Sequence, residues 1–179
     1  MPTLQELPCR AMTPEDLPQV LALQHTCYQP AFHESMSSFA AKLNASPSSC
    51  WVISSPNAPL DAYLVCLPVQ EHGYPVLNAL AWQAPPQAQE LYVHDMAVSP
   101  ALRGQGAARR LLSLASTHAR QASLSRLSLI AVQDSVTFWA NLGFAVQPPS
   151  TPQLARKLAS FGADAVLMSH ALTDPIPLR

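Results

Sequence analysis

The sequence predicts an α/β fold, and three observations predict it. Apolar runs of strand length alternate along the chain with segments of helical period, eighteen prolines and several Asn/Ser clusters mark the boundaries between them, and the 179 residues fit one domain spanning 1–179. No internal repeat divides the chain.

The elements follow in order. Pro8 to Met12, PCRAM, reads as a short first strand. Thr13 can then cap a helix with Pro14 at its first position and Glu15 and Asp16 in its first turn, after which Leu17, Val20, Leu21 and Gln24 keep helical spacing. A second helix is expected over Ser35 to Leu43, ending before the loop chemistry of NASPSS. CWVIS (Cys50 to Ser54) and DAYLVCLPV (Asp61 to Val69) read as strands joined in a hairpin. Gln70 to Gln89 is too rich in proline to continue a strand and reads as a long inserted connection with at most one helical turn, either a lid or substrate wall or an idle surface excursion. ELYVHDMAV is the next strand, Gly106 to about Gln121 a helix packing through Ala107, Leu111, Leu114 and Ala115, and RLSLIAV (Arg126 to Val132) another strand. SVTFWANLGF is a short helix closing at Gly143, and ADAVLMSHAL (Ala163 to Leu172) the final strand.

Composition excludes several functions. Charged residues are 12% of the chain and the net charge is -1, so no long-range field draws DNA, RNA or an acidic membrane surface. Cys9, Cys27, Cys50 and Cys66 lie far apart with no C-x-x-C pair, so no metal site is expected and the thiols read as single reduced cysteines. No basic leader precedes an apolar block, and no apolar run approaches the roughly 18 residues of a membrane span, so a cytoplasmic protein is expected.

LYVHDMAVSPALRGQGAARRLL, Leu91 to Leu112, carries the chemistry. It runs from a strand through a turn with two glycines into a helix start. Such a start presents unpaired N–H groups and the positive end of the helix dipole, each anion contact contributing about 0.3–2 kcal/mol. Gly104 and Gly106 allow positive φ and close ligand approach, Ala107 and Ala108 keep the first turn uncluttered, and Arg103, Arg109 and Arg110 add charge. A dinucleotide fingerprint counted from Gly104 would place its third small residue on Arg109, and no G-K-[ST] follows, so neither the Rossmann nor the P-loop motif applies.

The turn does match [R/Q]-x-x-G-x-[G/A] as Arg103, Gly106 and Ala108. With the order of RAMTPEDLPQVLALQ, YLVCLPV, SLIAVQDSVTFWANLGF and FGADAVLMSHAL around it, the chain resembles the GNAT superfamily of acetyl-CoA-dependent N-acetyltransferases. The resemblance implies a mixed, mostly antiparallel sheet flanked by helices on both faces, with strands splayed at an acetyl-CoA cleft. It implies that pantetheine runs along the strand end Met96, Ala97 and Val98, and that the loop Arg103, Gly104, Gln105, Gly106, Ala107, Ala108 and Arg109 holds the pyrophosphate. An N-acetyltransferase acting on a small-molecule or peptide amine follows.

Direct acetyl transfer requires a neutral amine, a positioned electrophile and a proton for the departing thiolate, and no enzyme nucleophile. Strand period puts Tyr92 and His94 on one face and Asp95 on the other, where Asp95 reads as structural. His94 is the better base, because imidazole with a reference pKa of about 6.5 is available in neutral form and tyrosine near 10 is not; Tyr92 then orients water or substrate. A core histidine satisfied by its neighbours is the competing reading of His94. Where many relatives carry a tyrosine that protonates the thiolate, this chain has Phe138 and Trp139, and Trp139 is expected to pack beside the thioester without serving as an acid. That departure favours a second reading, a catalytically impaired acyl-CoA-binding regulatory module. A third, a structural subunit, and a homodimer are compatible with the low charge. Tyr28, His33, Glu34, Tyr74 and Trp82 are candidates for the amine pocket, with no spacing that selects among them.

Overall fold

The computed structural model describes residues 7–54 and 58–177. Seven strands form one sheet: β1 (Cys9–Ala11), β2 (Cys50–Ser54), β3 (Leu60–Val69), β4 (Glu90–Val98), β5 (Arg126–Ala131), β6 (Ala145–Val146) and β7 (Val166–Ala171), in the spatial order β1-β2-β3-β4-β5-β7-β6. All neighbours are antiparallel except β4 and β5, which run parallel because a helix carries the chain between them. The helices are α1 (Leu17–Cys27), α2 (Met36–Ala45), α3 (Ala107–Gln121), α4 (Val136–Ala140) and α5 (Pro152–Ala159).

Both faces of the sheet are covered, so β3 is nearly continuously apolar. Leu64 and Cys66 turn to the face where Leu111, Leu112 and Ala115 of α3 pack, and Tyr63 and Val65 turn to the face of Val20 and Leu23 of α1 and Phe39 and Leu43 of α2. A third cluster continues that second face, joining Leu67, Tyr74, Tyr92, Leu154 and Leu158. The expected elements form within a few residues of their sequence boundaries. Two further elements form that the periodicity reading does not anticipate, β6 and α5. The α5 start has a local signal, since the Thr151 side chain accepts the Leu154 N–H and Pro152 takes the first turn. The connection from 70 to 89 contains turns and no helix.

Two departures from regular sheet geometry position the site. β4 pairs with β5 only through Glu90, Leu91 and Tyr92 opposite Arg126, Leu127 and Ser128, although β4 runs on beside β3 to Val98 and β5 runs on beside β7 to Ala131. The two strands therefore part after Tyr92. Between β3 and β4, Cys66 faces Val93 and Val65 faces Asp95, so His94 is the extra residue of a β-bulge.

Gly143, just past α4, has φ +89°, and a Cβ there would stand 2.9 Å from Pro177 Cδ and 3.0 Å from His170 Nδ1. A Gly143→Ala variant is expected to lose about 1–2 kcal/mol from the left-handed backbone alone, with the crowding adding to it. Urea denaturation measures this, and an unchanged midpoint would contradict the packing described here.

Candidate functional site

Where β4 and β5 part, a cavity of about 570 Å³ opens, lined by Val93 to Val98 on one side and Leu129, Ile130 and Val132 on the other. Its far end is the start of α3, whose first N–H groups have no intrahelical partner. Gly106, at φ 94°, caps that helix, and Gly104, at φ 75°, has nothing within 4 Å of where a Cβ would be. Arg103, Gly104, Gly106, Ala107, Ala108 and Arg109 line the cavity, whereas Gln105 does not and gives its Nε2 to the Ala101 carbonyl at 2.8 Å. Arg109 lines the wall while its Nε donates to Pro177 O at 2.9 Å. Arg110, read from the sequence as added charge around the turn, is not part of the lining, and its guanidinium donates to Leu7 O at 2.6 Å. Helical rotation by one residue separates the two arginines, which a motif count does not resolve.

On the open edge of β4, Met96 O accepts the Tyr28 hydroxyl at 2.7 Å, and Val98 O accepts Arg103 Nε at 3.4 Å and the Cys27 thiol at 3.5 Å. Met96, Ala97 and Val98 all line the cavity. Trp139 and Phe138 form part of the opposite wall; Trp139 is buried edge-on between Phe138 and Phe144, and Asn141 stands one turn beyond Phe138. Asn141 was not singled out from the sequence, where nothing distinguishes it from an ordinary helix-end asparagine.

His94 belongs to a buried polar network that joins distant segments. Its Nε2 lies 2.5 Å from Glu34 Oε1. The other Glu34 oxygen accepts from Lys42 Nζ at 2.8 Å, Ser38 Oγ at 3.0 Å and the Asn78 backbone N–H at 2.6 Å. Gln24 of α1 ties this group to the next, receiving the Glu34 N–H on Oε1 and donating Nε2 to Asp95 Oδ2 at 2.8 Å, while the Tyr63 hydroxyl donates to the same oxygen at 3.0 Å. Asp95 thus has the structural role expected of it, but on the same face as Tyr92 and His94. The bulge is the cause, because an extra residue between Val93 and Asp95 resets the alternation of the strand.

Burial by itself would raise the Glu34 carboxyl, yet the charges and hydrogen bonds of His94 and Lys42 outweigh it and hold the group down at about 2. Burial pushes the Asp95 carboxyl upward against the opposing pull of His94, Gln24 and Tyr63. Burial likewise raises Tyr92, whose phenol is thereby kept protonated. Cys50 is pushed up to about 12 by burial, and Cys66 is also raised, so neither is a ready nucleophile.

Of the residues considered for an amine pocket, Tyr28 and Glu34 line the cavity. His33 stacks on His25 at 4.2 Å and contacts Tyr28 O through Nε2, and Tyr74 packs on Tyr92 at 4.8 Å with its hydroxyl toward Glu90. Trp82 covers the same cluster from outside. The insertion forms part of the wall: Leu77 enters the lining, Asn78 grips Glu34, and Ala79 O lies 2.9 Å from Ser38 Oγ as the alternative acceptor to Glu34 for its one hydroxyl proton. Lys42 was missed from the sequence, although Ser38 and Lys42, four residues apart, share one face of α2 and Glu34 stands just before its N-cap Ser35.

The family model described as "Acetyltransferase (GNAT) family" matches residues 17–144. No curated protein matches the chain in sequence. Among solved structures, the chain is similar to the loading GNATL domain of CurA from Lyngbya majuscula, at a TM-score of 0.70 and 12% identity over 93% of this chain and 98% of that one. It is similar to the ribosomal-protein-S18-alanine N-acetyltransferase of Escherichia coli, with TM-score 0.61 and 16% identity over 93% and 94%. The PaiA N-acetyltransferase of Thermoplasma acidophilum, solved in complex with coenzyme A, gives TM-score 0.64 and 11% identity over 93% and 99%.

The Lys42 and Glu34 side chains are 0% and 1% exposed, so removing one partner strands a buried charge. Lys42→Met is expected to cost about 3–5 kcal/mol, and Glu34→Gln/Lys42→Met to regain most of it, since a neutral replacement of the whole pair leaves nothing unpaired. Because Glu34 titrates lower in the folded chain than its ordinary value of 4.5, its contribution is complete above that value and is lost as pH falls toward about 2. Denaturation at several pH values checks both, and a single variant as stable as wild type would refute the ion pair.

Proposed function

The chain belongs to the GNAT acetyltransferase family, and on that premise we propose that it transfers the acetyl group of acetyl-CoA directly to a primary amine. The observation that carries this reading is the convergence, in one cavity, of an anion-binding helix start and His94. The residues present suit a coenzyme A pyrophosphate. The α3 start offers N–H donors, Gly104 leaves room for close approach, Gly106 caps the helix at φ 94°, and Arg103 and Arg109 stand beside them. The open edge of β4 at Met96, Ala97 and Val98 is the line along which an amide-bearing pantetheine would lie as an added strand.

Bound acetyl-CoA supplies the thioester. His94 removes the proton from the amine, the buried Tyr92 phenol orients the acceptor or a water, and Trp139 packs against the acyl end. Trp139 has no proton to deliver near neutral pH, so this side chain does not serve as the acid for the thiolate. The acceptor, a small-molecule or peptide amine, approaches between α1, the start of α2 and the insertion, past Tyr28 and Leu77. The buried tryptophan also favours a second reading, binding of acyl-CoA without turnover.

An amine and peptide panel with acetyl-CoA, followed by free thiol release, separates the two. Gly106→Val is expected to weaken coenzyme A binding in calorimetry, because φ 94° and close anion approach both exclude a β-branched residue. His94→Ala is expected to lower kcat/KM by about 10²–10⁴-fold. Undiminished affinity in a folded Gly106→Val protein removes the cofactor site, and thiol release with no amine of the panel leaves the binding module as the function.

A further inference from the structure

What one ring nitrogen of His94 binds decides what the other can do. Nε2 contacts Glu34 Oε1, and Nδ1, equally buried, has no hydrogen-bond partner among the described residues. A carboxylate offers only lone pairs, so the proton between His94 and an ionised Glu34 belongs to Nε2. Glu34 has reasons to be ionised that do not involve His94, because Oε2 receives an ammonium, a hydroxyl and a backbone N–H. The Lys42 charge is wholly buried against this carboxylate, so the pair cancels and the ring needs no positive charge to balance it. Of the other titratable groups around the ring, Asp95 accepts from Gln24 and Tyr63 on Oδ2 while its Oδ1 is buried with no partner among the described residues, and Tyr92 stands ring to ring at 5.9 Å.

We infer that Glu34 is a positioning residue for the transfer reaction: neutralised by Lys42, it fixes His94 as the neutral Nε2–H tautomer and leaves the Nδ1 lone pair to accept the amine's proton. The inference rests on the acetyl-transfer reading above. In the step, the ammonium proton passes to Nδ1, and the freed amine electron pair forms the C–N bond. As the tetrahedral adduct collapses, the C–S pair leaves with sulfur, the second nitrogen proton passes to that thiolate, and the imidazolium later returns its own proton to solvent. Glu34, still on Nε2, stabilises the imidazolium while it lasts. Asn78 extends the device into the insertion, since its N–H holds the same carboxylate and its Oδ1 accepts the Ser35 N–H at 2.9 Å, so the wall of the acceptor site and the orientation of the base share one anchor.

Long-range ¹H–¹⁵N NMR of the full chain, with His94 assigned by through-bond correlation of its ring to its backbone, is expected to show Nε2 protonated and Nδ1 unprotonated at pH 8. An Nδ1–H tautomer or a doubly protonated ring overturns the inference, and this wild-type spectrum decides even where a variant does not fold. Glu34→Gln/Lys42→Met removes both charges together, and its amide can donate as well as accept. It is expected to mix the tautomers and lower kcat by about 10–10²-fold, less than loss of the base itself, with the KM for acetyl-CoA unchanged. Wild-type kcat and tautomer in that double variant would also overturn it. The spectrum needs no turnover, so failure of the acetyl-transfer reading appears as absent thiol release with the tautomer intact, and failure of this inference as the wrong tautomer.

Discussion

The site depends on one constraint: β4 and β5 stay paired for three residues and then part. Past Tyr92, β4 keeps β3 on one edge and has no strand on the other, so its outward backbone groups must find partners elsewhere. In the folded chain Tyr28 and Arg103 supply part of the answer, bonding the carbonyls of Met96 and Val98. The remainder of that edge faces the cavity. The same divergence lets the start of α3 look into the cleft, because α3 is the connection that carries the chain from β4 to its parallel neighbour.

A second constraint follows from burying charge next to that cleft. Glu34, Lys42, His94 and Asp95 lie where apolar side chains would pack without cost, and each needs partners to stay there. Most of those partners come from different elements: Gln24 from α1, Ser38 and Lys42 from α2, Tyr63 from β3, and the Asn78 N–H from the insertion. A network tied from so many directions is stiff, since moving one member breaks the bonds of another, although His94 Nδ1 and Asp95 Oδ1 stay without partners among the described residues. That stiffness belongs on the side of the cavity where His94 stands. The opposite wall combines apolar Leu129, Ile130 and Trp139 with Gln133, Ser135 and Asn141 and buries no charged group among the described residues.

The sequence by itself determined most of the elements, because helix and strand periods, caps and prolines act within a few residues, and it determined the glycine turn before α3, because Gly104 and Gly106 at a helix start are a local arrangement. It also marked His94 as a candidate from residue type and strand position. Tertiary structure alone decided which groups serve that histidine. Glu34 and His94 are sixty residues apart, and Gln24 and Asp95 seventy-one, so nothing in their surroundings along the chain announces the contact. The face of Asp95 was decided by a bulge that exists only as a mismatch in register between β3 and β4, and a period read along one strand contains no information about its partner. The same holds for the adjacent arginines at the start of α3: the rotation of the packed helix puts Arg109 in the cavity lining and Arg110 outside it.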